Sequence, residues 1–145
     1  MSEKPKFKSL EHRADAYIAA YGKDLKEAFE HAALATFETM TDTRRVLPTL
    51  ETEVEATGFD EKALLYDWLE TLLVSFETTE TLYSQFEITS LQRTSEGYRL
   101  KAKVRGERFS PGKHVHRVGV KAVTYHRMEI EKTLNQVTVR FILDI

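Results

Sequence analysis

The sequence contains no cysteine among its 145 residues, and only 3 prolines and 6 glycines. Without cysteine the chain can form neither a disulfide nor a thiolate metal site, and it has no thiol nucleophile. No apolar run approaches the roughly 20 residues of a membrane helix, and the charged start lacks the apolar stretch of a secretory signal. The composition, 41% hydrophobic and 30% charged residues, is typical of a globular protein. We therefore expect a cytoplasmic protein with a single domain spanning residues 1–145.

The net charge of −2 conceals an asymmetry along the chain. Residues 1–92 hold 9 basic and 18 acidic side chains, whereas residues 93–145 hold 12 basic and 5 acidic ones. Such a split can mark a surface that faces a polyanion. It is equally compatible with two halves that interleave in the fold and neutralise each other.

Two helices are predicted from the spacing of apolar residues. Residues 24–40 place apolar or small side chains on one helical face, with Asp24 as the N-cap and Glu27 completing a capping box. A second helix begins near Asp60 and carries a broad apolar stripe as far as Phe76. Both stripes are expected to lie in the core.

Alternating apolar and polar residues predict six strands. They cover residues 15–21, 50–57, 82–94, 98–105, 118–131 and 137–144. A Ser95-Glu96-Gly97 turn is expected to join the third and fourth of these strands as a hairpin. The order of elements predicts an α+β fold with a mainly antiparallel sheet and two helices. No repeat is visible in the sequence.

Two of the predicted strands carry charged rows of opposite sign. The acidic row is Glu51, Glu53 and Glu55, and the basic row is Arg99, Lys101, Lys103 and Arg105. The basic row could bind phosphates, or it could lie beside the acidic row on a neighbouring strand, where opposite charges pair. We favour pairing, and the basic row also lacks the interleaved aromatic residues that stack bases in single-stranded RNA binders.

The common catalytic signatures are missing from the sequence, which contains no GxGxxG, GxxxxGK(S/T), HExxH or GxSxG motif. No local pattern nominates a nucleophilic serine, although a serine–histidine–acid triad stays open. His114 and His116 could bind a metal, but a solvated loop is the favoured interpretation. His126 is expected to pack against its apolar neighbours, and it could still converge with His12, His114 and His116.

The sequence ends in two adjacent anionic groups. Asp144 and the free carboxylate of Ile145 directly follow an alternating strand. Such groups repel each other unless a cation or a basic side chain lies between them. All-oxygen clusters suit hard cations such as calcium or magnesium. The terminal pair alone is weak evidence for a site, because most C-termini fray.

Several segments match the pattern of one known protein family in the right order. In chain order they are Glu11-His12-Arg13-Ala14-Asp15, Met40-Thr41-Asp42-Thr43, the apolar stripe of the second helix, Gly106-Glu107, Lys113-His114, Val120-Lys121-Ala122-Val123-Thr124-Tyr125-His126 and Leu143-Asp144-Ile145. Together these segments resemble the archease family. Among them are counterparts of the family's "EHTAD" opening, its "GE…KH…EVKAVTYH" stretch and its terminal "DI". The resemblance runs from about residue 7 to the last residue.

The family resemblance implies a function that the residues alone do not indicate. Archeases assist the RtcB-type RNA ligase of tRNA splicing by promoting its guanylylation from GTP and its multiple turnover, without being catalysts themselves. By matching positions, the family's metal site would be Asp15, Asp144 and the carboxylate of Ile145. These groups would hold a divalent cation, with calcium expected and magnesium or manganese as alternatives. Lys121 matches the family's functionally important lysine, which would contact a phosphate of GTP or RNA, or an acidic group on the ligase.

The implied fold is a strand–helix–strand–strand module with a similar unit inserted in it. Other functions stay open: a general chaperone or protein-interaction module would use the carboxylates for structural calcium. For Lys121, the alternative is a salt bridge to Asp15 or Asp144 that merely neutralises the site. A small metal-dependent hydrolase would need a nucleophile that the sequence does not display. The chain departs from the family pattern at Arg13, Tyr17, Ser110 and Gly119, and Arg13 could compete with the metal.

Overall fold

The computed structural model describes residues 4–12 and 15–145, with the backbone alone for residues 11 and 12. In that part of the chain, strands and helices follow one another with short connections, and one short 3-10 helix, Thr43–Arg45, follows the first α-helix. The elements are β1 Phe7–His12, β2 Asp15–Gly22, α1 Leu25–Met40, β3 Leu50–Gly58, α2 Glu61–Thr79, β4 Thr81–Thr94, β5 Gly97–Arg108, β6 Ala122–Lys132 and β7 Val137–Asp144.

The strands form two antiparallel sheets with the same internal arrangement. One sheet has the order β1-β2-β7-β6 and the other has the order β3-β5-β4. In the unit β2-α1-β6-β7 and in the unit β3-α2-β4-β5, the last strand lies between the other two. The second unit is inserted between α1 and β6 of the first. The predicted α+β fold, with a strand–helix–strand–strand module and a similar inserted unit, is confirmed.

A shared strand-to-helix junction explains how the two units begin. The first strand of each unit ends in a glycine, Gly22 or Gly58, and the helix N-cap follows two residues later. A Cβ at either glycine would lie 2.2 or 2.3 Å from a backbone nitrogen of the helix, so only glycine permits this close approach. The Asp24 and Asp60 side chains then accept the first free helical N–H groups, which confirms both predicted N-caps.

The core lies between the helices and both sheets. Helix α1 packs on β2 and β4, while α2 packs on β3 and β6, so each helix contacts a strand of each sheet. The Trp68 indole N–H donates to the Phe29 carbonyl at 2.9 Å, which links the two helices inside the core. The apolar stripes of both helices are buried there, as predicted. Within the described residues, neither helix is long and apolar enough to cross a membrane.

One strand was not predicted from the sequence, and another begins later than predicted. Strand β1 was not predicted, because its sequence, FKSLEH, offers one short alternation without flanking turn residues. The strand predicted over 118–131 begins only at Ala122, since Val118 is 38% exposed and does not face the core. The predicted hairpin of β4 and β5 is confirmed, and Gly97 in its turn has a φ of 134° that only glycine adopts readily.

Candidate functional site

The predicted site residues meet where β2 begins and β7 ends. Asp15 lies directly opposite Asp144 in the antiparallel register of these strands. On the other side of β7, Ala122 pairs with Asp144, and the Lys121 N–H donates to the Asp144 carbonyl at 2.7 Å. Ile145 follows directly and packs, half-buried, against the core. The fold thus brings these four predicted residues, which come from distant parts of the chain, to one end of the four-stranded sheet.

The two aspartates form a like-charged pair. Directly opposite residues of an antiparallel pair point to the same face, with Cβ atoms about 5 Å apart. Two unit charges at that separation repel by roughly 1 kcal/mol in water and roughly 3 kcal/mol near a protein surface. No ion pair joins Asp15, Asp144 or Lys121 to another described side chain. The pair is therefore a place where a cation would relieve repulsion.

The internal repeat supplies a comparison within the same chain. Counted back from the glycine that ends each strand, Asp15 of the first unit and Glu51 of the second occupy the same position. Glu51 lies opposite Arg105, whose Nε donates to the Glu51 carboxylate at 2.9 Å. The first unit has Asp144 where the second has Arg105. The same register position thus holds a salt bridge in one unit and two carboxylates in the other.

A hydroxyl and a guanidinium lie on the same face of the sheet as the aspartates. Thr124 is two positions along β6 from the residue opposite Asp144, and its Oγ1 is buried without a hydrogen-bond partner among the described residues. Tyr17, two residues after Asp15, packs under the Arg127 guanidinium, which lies 4.4 Å from the ring centroid. Strand alternation could have placed Thr124 here, but nothing in the sequence indicates the Arg127 contact, which depends on a left-handed φ of 57°.

An aromatic pair joins β6 to α2. Tyr125 of β6 stacks on Tyr66 of α2, with ring centroids 4.5 Å apart and ring planes 6° apart. Tyr125 is 52% exposed. Its pKa is raised by partial burial, by Tyr66 and by the nearby acidic residues Asp60, Asp67 and Glu70. The stack holds β6 against α2, and Tyr125, the residue after Thr124, points to the face of the sheet opposite the aspartates.

Residues 109–121, which connect β5 to β6 and end at Lys121, are anchored to the end of α1. The Arg117 backbone N–H donates to the Met40 carbonyl at 2.9 Å, and its guanidinium donates to the Glu38 carboxylate at 2.6 Å. Burial alone would raise the pKa of Glu38, but hydrogen bonds from Thr43 and Arg117 outweigh it and lower the pKa. This charge-assisted anchor lies four residues before Lys121 and limits where that lysine can be placed.

Glu107, near the end of β5, forms the second anchor of this connection. Its carboxylate accepts hydrogen bonds from Lys113 Nζ at 3.0 Å, the Leu47 N–H at 2.8 Å and His114 Nε2 at 2.9 Å. Burial alone would raise the pKa of Glu107, but these three donors outweigh it and lower the pKa from 4.5 to about 2. Glu107 therefore stays ionised and ties the connection to β5 and to the residues before β3.

His114 belongs to this anchor, which contradicts both interpretations for His114, whereas His116 is exposed in the loop, as the favoured interpretation expected. Its side chain is fully buried, and its Nδ1 accepts the Ser110 N–H at 2.9 Å. Nε2 therefore carries the proton that it donates to Glu107. With both nitrogens engaged, His114 is neither a metal ligand nor a solvated loop residue. His126 is exposed, so the prediction that it packs is wrong as well.

The described residues do not bring the predicted histidines together. Among them, no group of three or more His, Asp or Glu side chains is arranged to hold a metal ion. The side chain of His12 lies outside the described part. Asp15 and Asp144 supply two side-chain carboxylates, and the third predicted ligand, the carboxylate of Ile145, is a main-chain group.

The four departures from the family pattern fall in different surroundings. Arg13 lies outside the described residues, so its predicted competition with a metal stays a prediction. Tyr17 is only 7% exposed beneath its guanidinium partner. The backbone N–H of Ser110 donates to His114 Nδ1, and any residue except proline could make this hydrogen bond. Gly119 has open space where a Cβ would be.

The two charged rows face each other in the three-stranded sheet, so the predicted pairing is confirmed. Glu51 lies opposite Arg105, and Glu55 lies opposite Lys101. Glu55 accepts hydrogen bonds from Arg99 and forms an ion pair with Lys101 at 3.8 Å. Arg105 also donates to Glu87 at 2.9 Å. Acidic partners on both neighbouring strands therefore largely balance the basic row.

Comparisons with known proteins agree with the fold and with the family resemblance. The sequence model of the Archease protein family matches residues 7–145. Protein archease of Sulfurisphaera tokodaii is 45% identical over 140 residues, which cover 97% of this chain and 99% of that protein. A solution structure of a protein from Methanobacterium thermoautotrophicum has a TM-score of 0.85 and 43% identity, covering 97% of this chain and 99% of that chain.

A second solved structure shows the same fold at greater sequence distance. The crystal structure of a Thermotoga maritima archease, described as a possible chaperone, has a TM-score of 0.62 at 20% identity, covering 100% of this chain and 98% of that chain. None of these three proteins is named as an enzyme. With a family match over nearly its whole length, the chain belongs to the archease family.

Proposed function

We propose that this chain is an accessory protein that binds a divalent cation and activates an RtcB-type RNA ligase in tRNA splicing. It would promote guanylylation of the ligase from GTP and its multiple turnover, in the cytoplasm, without catalysing the reaction itself. The observation that carries the proposal is the Asp15–Asp144 pair, two carboxylates opposite each other without a described cationic partner. Membership of the archease family supports the choice of the ligase as the partner, which the family resemblance implies.

The residues at the start of β2 and the end of β7 fit a hard divalent cation. Asp15 and Asp144 provide two carboxylates on one face of the sheet, and the carboxylate of Ile145 would add a third anionic oxygen group. An all-oxygen anionic donor set favours calcium, and magnesium or manganese would accept the same donors. When bound, such a cation supplies positive charge that can attract phosphate or carboxylate oxygens of a partner.

Lys121 is proposed as the contact to the partner. Its backbone N–H is fixed on the Asp144 carbonyl, while its side chain is exposed and forms no ion pair with another described residue. The alternative in which Lys121 merely neutralises the aspartates requires an ion pair that the described residues do not form. An exposed ammonium on a fixed backbone can reach a phosphate of GTP or RNA, or an acidic group on the ligase.

The proposal is tested with four variants in two assays. The variants are Asp15→Asn, Asp144→Asn, Lys121→Ala and, as a control, Glu53→Gln, which removes an exposed carboxylate from the other sheet. Calorimetric titration with calcium measures cation binding. Multiple-turnover ligation by a cognate RtcB-type ligase, with GTP and RNA ends, measures stimulation.

Calcium affinity should fall at least about tenfold in both aspartate variants, because even the loss of residues that only support metal ligands costs that much. Stimulation of turnover should fall with it. Lys121→Ala should keep calcium binding and lose stimulation, and Glu53→Gln should keep both. Full stimulation by folded Asp15→Asn and Asp144→Asn would overturn the proposal. Calcium binding without any effect on ligation would instead favour the structural calcium site of a chaperone or interaction module.

A further inference from the structure

A cavity of about 300 Å³ lies at the opposite end of β2 from the aspartates. It is formed where β2 ends and α1 begins, beside the residues that precede β1 and the turn between β6 and β7. Strand β2 has 8 residues, so at about 3.3 Å per residue the cavity lies roughly 20 Å or more from Asp15. The residues of its lining used below are Lys4, Lys6, Tyr21, Lys23, Glu27 and His31.

Three lysines line this cavity, against one carboxylate. Lys4, Lys6 and Lys23 line it, and none of them forms an ion pair with another described residue. The one carboxylate in the lining, Glu27, accepts the backbone N–H of Lys23, the residue before the N-cap of α1, at 2.9 Å. One negative charge against three positive ones leaves an excess that raises the local potential and attracts anions.

Two other cavities in the described part of the chain contain charged side chains that pair with each other. In one of them, of about 480 Å³, Arg99 donates to Glu55. In another, of about 320 Å³, Arg105 donates to Glu87. The cavity at the end of β2 differs because its cations have no such partners, although Lys6 borders two of the cavities. This contrast distinguishes a site for an added anion from a merely charged surface.

The wall of the cavity is rigid and partly aromatic. Tyr21 is half-buried, and its carbonyl accepts a hydrogen bond from His31 Nδ1 at 2.6 Å. Because a carbonyl can only accept, Nδ1 carries the proton and the imidazole is held in place. Gly22 lies so close to the α1 backbone that a Cβ at this position would not fit. A preorganised wall lowers the entropic cost of binding a small ligand.

We infer that this cavity binds a phosphate-bearing ligand of about nucleotide size. The lysines would hold the phosphate, and Tyr21 would provide apolar surface for the attached organic group. The volume is at the lower end of the range for small-molecule sites. A free nucleotide and the terminal nucleotide of an RNA strand share this chemistry. The site is distinct from the carboxylate pair and does not rest on the function proposed for it.

The test is a titration of the isotope-labelled full-length protein followed by amide chemical shifts, at constant ionic strength. The probes are inorganic phosphate, GMP and a short single-stranded RNA with a terminal phosphate. The test variant is Lys6→Gln combined with Lys23→Gln. The matched control is Lys26→Gln combined with Lys62→Gln, which removes two exposed lysines from the first turns of α1 and α2 and leaves the cavity lining intact.

GMP should cause saturable shifts at Gly22 and at Gln136, which also lines the cavity. The test variant should bind GMP at least about tenfold more weakly, because each lost charge-assisted contact is worth about 1.5 kcal/mol or more, and the control should bind like the wild type. Tighter binding of RNA than of GMP at the same amides would identify a nucleic-acid end as the source, and the reverse order would identify a free nucleotide. Absent or non-saturable shifts at millimolar GMP, or equal binding by the test variant, would overturn the inference.

Discussion

Replacing Glu107 tests how strongly the connection that carries Lys121 is anchored. Three donors lower the pKa of Glu107 from 4.5 to about 2. A pKa difference of one between the folded and unfolded states is worth about 1.36 kcal/mol, so the lowered pKa of Glu107 corresponds to roughly 3 kcal/mol of folding stability. Because the side chain retains 17% exposure, solvent screening reduces the expected contribution to about 2 to 3 kcal/mol.

The way in which this stability contribution changes with pH follows from the direction of the pKa change of Glu107. Because the pKa of Glu107 is lower in the folded state than in the unfolded state, its contribution is fully present above pH 4.5. It is lost as the pH falls towards 2. The wild type should therefore lose its advantage over a Glu107→Gln variant as the solution is acidified.

Urea unfolding of the wild type, Glu107→Gln and Glu96→Gln at pH 7 and pH 3 measures this contribution. Glu96 is an exposed turn residue without a described ion pair and serves as the control. At pH 7 the free energy of unfolding of Glu107→Gln should be lower than that of the wild type by about 2 to 3 kcal/mol, and at pH 3 the difference should shrink to about 1 kcal/mol. An equal difference at both pH values, or an equal loss in Glu96→Gln, would refute the reasoning.

Three further changes have defined outcomes. Glu80 caps α2 with a left-handed φ of 56°, a strained conformation for any residue except glycine. Glu80→Gly should therefore raise the free energy of unfolding, measured in urea, by about 1 kcal/mol. A decrease would contradict this assignment of strain. A Cβ at Gly106 would lie 1.7 Å from the Leu82 carbonyl oxygen. Gly106→Ala should therefore lower the melting temperature sharply, by the equivalent of about 3 kcal/mol or more. A melting curve like that of the wild type would show that β4 can move away. Removal of calcium with a chelator should lower the melting temperature of the wild type but not that of Asp144→Asn, and equal shifts would place the bound cation elsewhere.

Features governed by local chemistry were predictable from the sequence. The N-caps Asp24 and Asp60 each act within three residues, and the apolar stripes of the helices follow a short period. The opposed charge rows were predictable because alternation fixes which side chains share a face. Strand β1 was missed because such a short segment forms a strand only by pairing with β2, a non-local event.

The candidate site depends on non-local contacts. Asp15 and Asp144 become neighbours only through the β2–β7 register, and this pairing across nearly the whole chain could be anticipated only through the family resemblance. The role of His114 was mispredicted for a similar reason, because its burial depends on Glu107 and on the turn that begins at Ser110. A histidine beside Pro111-Gly112 has no local pattern that distinguishes a buried anchor from a solvated residue.

The most direct measurement is multiple-turnover ligation with an Asp144→Arg variant. This change gives the first unit the complementary pair that Glu51 and Arg105 form in the second unit, so the variant should fold without added cation. If the two carboxylates serve a bound cation that acts on the ligase, the folded variant should leave ligation at the level seen without any accessory protein. Stimulation at the wild-type level by folded Asp144→Arg would contradict the central claim.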